Sequence, residues 1–176
     1  MKIKFIHLLP LLLLSLVISG CGTTYKPGAP TPKTSEIPDF PKGASISFVN
    51  IQLATEKVEI SQHGTGYTVY ANLHDWTDQA IRALARTLQK RGVATADGAP
   101  KTLKIAITKA TLSSAGSGWA FRCTVVFTVD TGDGQSFTLG ADDTSWKWPN
   151  ACDGAMEKLV LVALHDERVA KAISAP

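Results

Sequence analysis

Apolar and polar positions along the chain change period several times, and each change marks an element. Residues 5–17 form an apolar run interrupted only by His7, Pro10 and Ser15. Residues 22–42 are rich in proline, glycine, threonine and lysine, a composition too poor in apolar side chains to fold by itself. From Ala44 to Ala54 the chain is β-branched and apolar on both parities, with Ile46 and Phe48 on one and Val49, Ile51 and Leu53 on the other. This predicts a central or well-covered strand. Residues 55–71 alternate weakly on either side of a turn at His63–Gly66 and predict a loose hairpin or mobile loop. Leu73, Trp76, Ala80, Leu84 and Leu88 then recur at helical spacing, behind Asn72 or Asp75 as the capping residue. Gly92, after Lys90 and Arg91, marks the end of that helix.

Residues 94–100 read as a loop, and alternation returns from Thr102 to Leu112, where Leu103, Ile105 and Ile107 share a face. Ser113–Gly118 reads as a flexible connection. The clearest strand runs from Trp119 to Val129, with Trp119, Phe121, Cys123, Val125, Phe127 and Val129 expected inward and Arg122, Thr124 and Thr128 outward. Gly132-Asp133-Gly134 supplies the positive φ angles of a tight hairpin, and Phe137, Leu139 and Ala141 continue on a returning strand that extends toward Trp146. Pro149 and Asn150 break it, and Asn150 with Asp153 predicts a helix start. Cys152, Ala155, Met156, Leu159, Val160 and Ala163 form its apolar face to about His165, before a polar segment reaching Ser174. Two amphipathic helices need an apolar surface to cover, and a sheet with one apolar face provides it. The expected class is α+β: a two-layer sandwich with a mostly antiparallel sheet of four to five strands under two helices. The expected organisation is a leader over 1–20, a Pro-rich flexible tether over 21–43 and one globular domain over 44–176.

Lys2 and Lys4 precede the apolar run, and Ile18-Ser19-Gly20 places small residues at its end, the layout of a secretory signal. A membrane-spanning helix needs about 20 apolar residues to cross ~30 Å of hydrocarbon; this run is shorter and no basic cluster follows it. A cysteine directly after Ile-Ser-Gly resembles the lipobox of bacterial lipoproteins. That resemblance implies cleavage between Gly20 and Cys21, a diacylglyceryl group on the Cys21 thiol and acylation of the new amine. Gly22 follows the cysteine instead of aspartate, which by the same resemblance implies release to the outer membrane of a Gram-negative cell, facing the periplasm. Each buried methylene contributes ~0.8 kcal/mol, so one acyl chain holds a protein marginally and two or more hold it stably.

The formal charge of +3 includes Lys2 and Lys4. Without them the mature chain is one charge above neutrality, which leaves no electrostatic case for nucleic acid. With Cys21 committed to lipid, Cys123 and Cys152 are an even pair in an oxidising compartment, where a disulfide is the expectation and two separate buried thiols the alternative. The predicted elements aim both at one core, Cys123 from a strand and Cys152 from a helix.

From Ile46 to Ile173 the element order resembles the YajG family of small outer-membrane lipoproteins, and more distantly the accessory lipoproteins of envelope transport systems. The likeness lies in Leu84–Gly92 at the first helix end, in the Thr102–Ile107 strand and in the closing His165–Val169 segment. It implies location and architecture, and no reaction.

His74-Asp75 and His165-Asp166 are neighbours on helices and diverge by about 100°, so neither works as a dyad. Ser113, Ser114 and Ser117 lack a nucleophile elbow, and Asp130, Asp133, Asp142 and Asp143 lack calcium-loop spacing. No catalytic residue, metal or cofactor is assigned. The most informative patch is Asp142, Asp143, Trp146 and Trp148. If the strand continues, the two tryptophans share a face and offer a binding surface; otherwise they cap the open end of the core. The expectation is a membrane-anchored, non-enzymatic binding or scaffolding module for an envelope protein, peptidoglycan or a lipid-transport component. An accessory role in a transport system and, more remotely, a hydrolase are the alternatives.

Overall fold

The computed structural model describes residues 22–53, 57–62, 65–116 and 119–174; the leader expected over 1–20 and Cys21 lie outside them. In chain order the strands are β1 (Thr23–Tyr25), β2 (Ser45–Asn50), β3 (Lys57–Glu59), β4 (Val69–Asn72), β5 (Ala94–Thr95), β6 (Thr102–Ala115), β7 (Ala120–Asp130) and β8 (Ser136–Ser145). The helices are α1 (Leu73–Gln89), α2 (Trp148–His165) and α3 (Glu167–Ser174). A five-stranded sheet runs β5-β2-β6-β7-β8, and a small sheet runs β1-β4-β3. The expected α+β class holds.

The antiparallel meander β6-β7-β8 follows the alternation. Cys123, Val125, Phe127 and Val129 are all buried on the helix side of β7, whereas Trp119, expected inward with them, precedes the strand and is exposed. Asp130, Asp133 and Thr131 close the β7–β8 turn: the Asp130 carboxylate accepts from Gly132 N at 2.7 Å and Asp133 from Gln135 N at 3.1 Å. Gly132 and Gly134 take φ of 77° and 88° there, as the turn requires. β2 joins the sheet parallel to β6 and lies between it and β5, so it is central in strand order, but only one of its parities is covered: Ile46 is buried and Phe48 partly so, whereas Val49, Ile51 and Leu53, expected to be covered as well, are exposed. β5, expected as loop, pairs only Ala94 and Thr95 with Ser45 and Ile46.

α1 begins as expected, with the Asn72 side chain accepting from Asp75 N at 3.2 Å. It packs through Trp76, Ala80, Ala83, Leu84 and Leu88, all buried. Thr77, also buried, solves a local problem in β6. The strand slips register between Ile107 and Lys109, leaving the Ile107 amide without a strand partner; it donates to Thr77 Oγ1 at 2.9 Å, while that hydroxyl donates to Leu73 O at 2.8 Å.

Four expectations are corrected. β8 stops at Ser145 and Trp148 already opens α2, because Pro149 stands in the first turn, where its missing N–H costs nothing. α2 has Lys147 at its N-cap with no side-chain cap, and Asp153 bonds elsewhere. The serine-rich connection is strand as far as Ala115. Finally, the stretch expected as a flexible tether over 21–43 belongs, from Thr23 on, to the packed body.

That stretch is held at both ends. Pro27, Pro32 and Ile37 are buried, and β1 pairs with β4 in parallel. Extended backbone presents side chains at wide intervals, so a few apolar ones suffice to dock it. At its far end the Arg91 guanidinium donates to the carbonyls of Thr34 (2.7 Å) and Ile37 and pairs with Asp39 at 3.1 Å. His165 Nε2 meets Glu36 O at 2.9 Å, tying the same turn to the end of α2.

Candidate functional site

The first described residues are Gly22 to Tyr25, and Tyr25 fixes them. Its ring stands edge-on to Trp148 at 4.9 Å and to Trp76 at 6.0 Å. Its hydroxyl donates to Asp153 Oδ1 at 2.8 Å and lies 3.1 Å from Pro149 O. Its carbonyl accepts from the Trp76 indole N–H at 2.9 Å. Asp153 also accepts from Gly28 N at 2.9 Å. One tyrosine therefore joins the N-terminal strand to both long helices. Burial, and secondarily the Asp153 carboxylate, push the Tyr25 phenol well above the ordinary tyrosine range, so it stays a donor. The folded value lies above the unfolded one, so this clamp is fully present below pH of about 10 and is lost as pH rises through the folded value.

Tyr25→Phe keeps the ring contacts and removes the hydroxyl. It is expected to cost about 1–2 kcal/mol, and hydrogen exchange of the β1 amides should speed up before that of β7. Equal acceleration across the sheet would show that the clamp is not local.

Upstream of the clamp the chain keeps close to the body. Thr23 N donates to Thr68 O at 3.0 Å, and Gly22 lies so near the Tyr70 ring that a Cβ there would collide with it. One residue, Gly22, therefore separates Cys21 from the paired backbone that starts at Thr23.

Cys123 on β7 and Cys152 on α2 are bonded, with Cα atoms 5.0 Å apart and both side chains fully buried. The expected staple between layers is present, within the ~7 Å such a bond requires.

The patch expected at Asp142, Asp143, Trp146 and Trp148 does not form one surface. Neighbours on β8 point to opposite faces. Asp142 faces Arg122 at 3.6 Å across β7, whereas Asp143 turns toward α2 and bonds Lys158 Nζ at 2.6 Å. Gly154, which the sequence reading did not single out, permits that close approach, since a Cβ there would collide with the Asp143 carboxylate. Trp148 is half-buried against Tyr25 and serves the core, the second of the two readings, while Trp146 is 75% exposed and stands apart from it.

His74, Asp75 and Asp78 come within 4.8 Å of one another through their potential ligand atoms. Their bonding is already accounted for: Asp78 accepts from Asn50 Nδ2 at 2.7 Å, and Asp75 faces Lys26 Nζ at 3.7 Å. Asp166 is held below the usual carboxylate range by the Arg168 guanidinium at 2.7 Å, not by His165. An open-sided depression of about 960 Å³ lies along the β3–β4 hairpin, lined by Glu59, Ser61, Gln62 and residues 65–68.

No protein-family model and no curated protein matches the chain. Among solved structures it is similar to a DUF330-family protein from Xanthomonas campestris, at 14% identity over 86% of this chain and 95% of the other, with a TM-score of 0.49. It is also similar to a minor lipoprotein from Acinetobacter baumannii, at 12% identity over 75% of this chain and 91% of the other, with a TM-score of 0.37.

Proposed function

We propose that the chain is a bacterial envelope lipoprotein, acylated on Cys21 after cleavage behind Gly20. The leader and the Ile-Ser-Gly-Cys21 sequence carry this reading. Release to the outer membrane, facing the periplasm, rests on Gly22 after the cysteine. The resemblance of Leu84–Gly92 and Thr102–Ile107 to the YajG lipoproteins supports the same location. The domain acts there as a non-enzymatic binding or scaffolding module for an envelope protein, peptidoglycan or a lipid-transport component.

Two observations fit this role. The disulfide suits an oxidising compartment. The N-terminal strand joins the anchoring residue to the body through rigid structure, so the lipid positions the domain and does not merely retain it. Cys21→Ser tests the anchor. The variant should accumulate as unprocessed precursor, with no acyl label in cells fed labelled fatty acid. Normal cleavage and labelling of the serine variant would end the lipoprotein reading.

A further inference from the structure

We infer that one end of the domain is a membrane-seating face, in which Tyr67, Trp119 and Trp146 rest in the headgroup region of the bilayer that holds Cys21. The inference builds on the lipoprotein reading and names how that anchor orients the domain. Tyr67, Trp119 and Trp146 are 58%, 74% and 75% exposed, and they are the exposed aromatic side chains among the described residues.

Strand register brings them together. Phe121 and Ser145 are partners across β7 and β8. Trp119 lies just before β7 and Trp146 just after β8, so both indoles stand at the same end of that pair. Tyr67 reaches the same place from the β3–β4 hairpin, its ring 5.9 Å from that of Phe121. Thr68, the next residue, accepts the backbone bond from Thr23. The three aromatic side chains thus lie toward the end of the domain at which the described chain begins with Gly22.

Charge agrees with this placement. The chain is 19% charged, yet the described stretches 22–25, 65–74, 110–116 and 119–121 toward this end hold no Asp, Glu, Lys or Arg; Glu59, in the depression beside Tyr67, and Arg122, next to Phe121, border it. Between Asp143 and Asp153 the one charged residue is Lys147, exposed beside Trp146. A sparsely charged rim with Trp and Tyr suits the membrane–water interface, where amphipathic rings settle at headgroup depth. A single lysine suits anionic phosphate there. Only Gly22 lies between Cys21 and the paired backbone of Thr23, so an acylated Cys21 cannot hold this end far from the lipid.

The test uses tryptophan emission. Protein purified from membranes is placed in phosphatidylethanolamine–phosphatidylglycerol vesicles carrying phospholipid brominated near the headgroup. Emission should shift to the blue and be quenched, and a Trp119→Phe, Trp146→Phe variant should lose that quenching while Trp76 and Trp148 still emit. Both sites are exposed, so the variant should keep the wild-type thermal midpoint. Unquenched wild-type emission, or equal quenching in the variant, would overturn the face.

A second arm separates this from the anchor itself. The chain from Cys21 onward, made without acyl groups, is coupled through the Cys21 thiol to a maleimide phospholipid in the same vesicles. The face predicts the same quenching there even if native protein proves unacylated. Its absence would refute the face and leave the acylation reading standing.

Discussion

Removing the Cys123–Cys152 bond, as the double substitution to alanine, should lower the unfolding free energy by about 3–4 kcal/mol, because the bond closes a loop of 29 residues. Domains are stable by only about 5–15 kcal/mol, so this is a large share. At roughly 2–4 °C per kcal/mol for a chain of this size, the thermal midpoint should fall by about 10 °C. Alanine is the appropriate replacement, since both positions are fully buried and a serine hydroxyl would need a partner there. Reducing the wild-type protein should reproduce the fall, and adding reductant to the double variant should change nothing further. A midpoint unaffected by either treatment would mean the bond closes without constraining the unfolded chain.

Trp76→Ala should cost about 3–5 kcal/mol, the range for emptying a buried aromatic site. Trp76 is fully buried in α1, and its indole N–H holds the Tyr25 carbonyl, so the loss has two parts. Trp76→Phe keeps most of the volume and removes the bond, and should cost less, about 1 kcal/mol beyond any packing change. Limited proteolysis separates the parts: the alanine variant should become susceptible within residues 22–43 at temperatures where α2 and β7 remain protected. Cleavage spread evenly over the chain would mean that the N-terminal segment does not depend on Trp76.

The elements with strong local periodicity were legible in the sequence. β7 alternates over its whole length, and α1 carries its cap, its apolar stripe and its terminal glycine in order. The disulfide was legible from cysteine parity and from the layers those two elements occupy. What escaped depends on partners distant in the chain. β1 and β5 contain three and two residues, too few for any period, and exist because β4 and β2 offer them an edge. The segment expected as a spacer has sparse apolar residues, and nothing in its composition reveals that Pro27, Pro32 and Ile37 meet a surface prepared by other elements.

Trp148 shows the same limit. Pro149 was readable as the end of a strand, but also suits the first turn of a helix, and tertiary packing of Trp148 on Tyr25 selects the second. Asp153 was assigned to the helix start and instead receives Tyr25 and Gly28 from more than a hundred residues away. Of the proposed binding patch only Trp146 retains a surface role. Its companions Tyr67 and Trp119 come from other parts of the chain, joined by strand register that no local pattern carries.

Cys21 is proposed as the lipid-bearing N-terminus of the mature chain. Intact mass measurement of protein purified from the membrane fraction tests this most directly. The expected species begins at Cys21 and is heavier than its polypeptide by a diacylglyceryl group and one further acyl chain. A chain that retains Met1 or carries no added lipid mass would overturn the proposal.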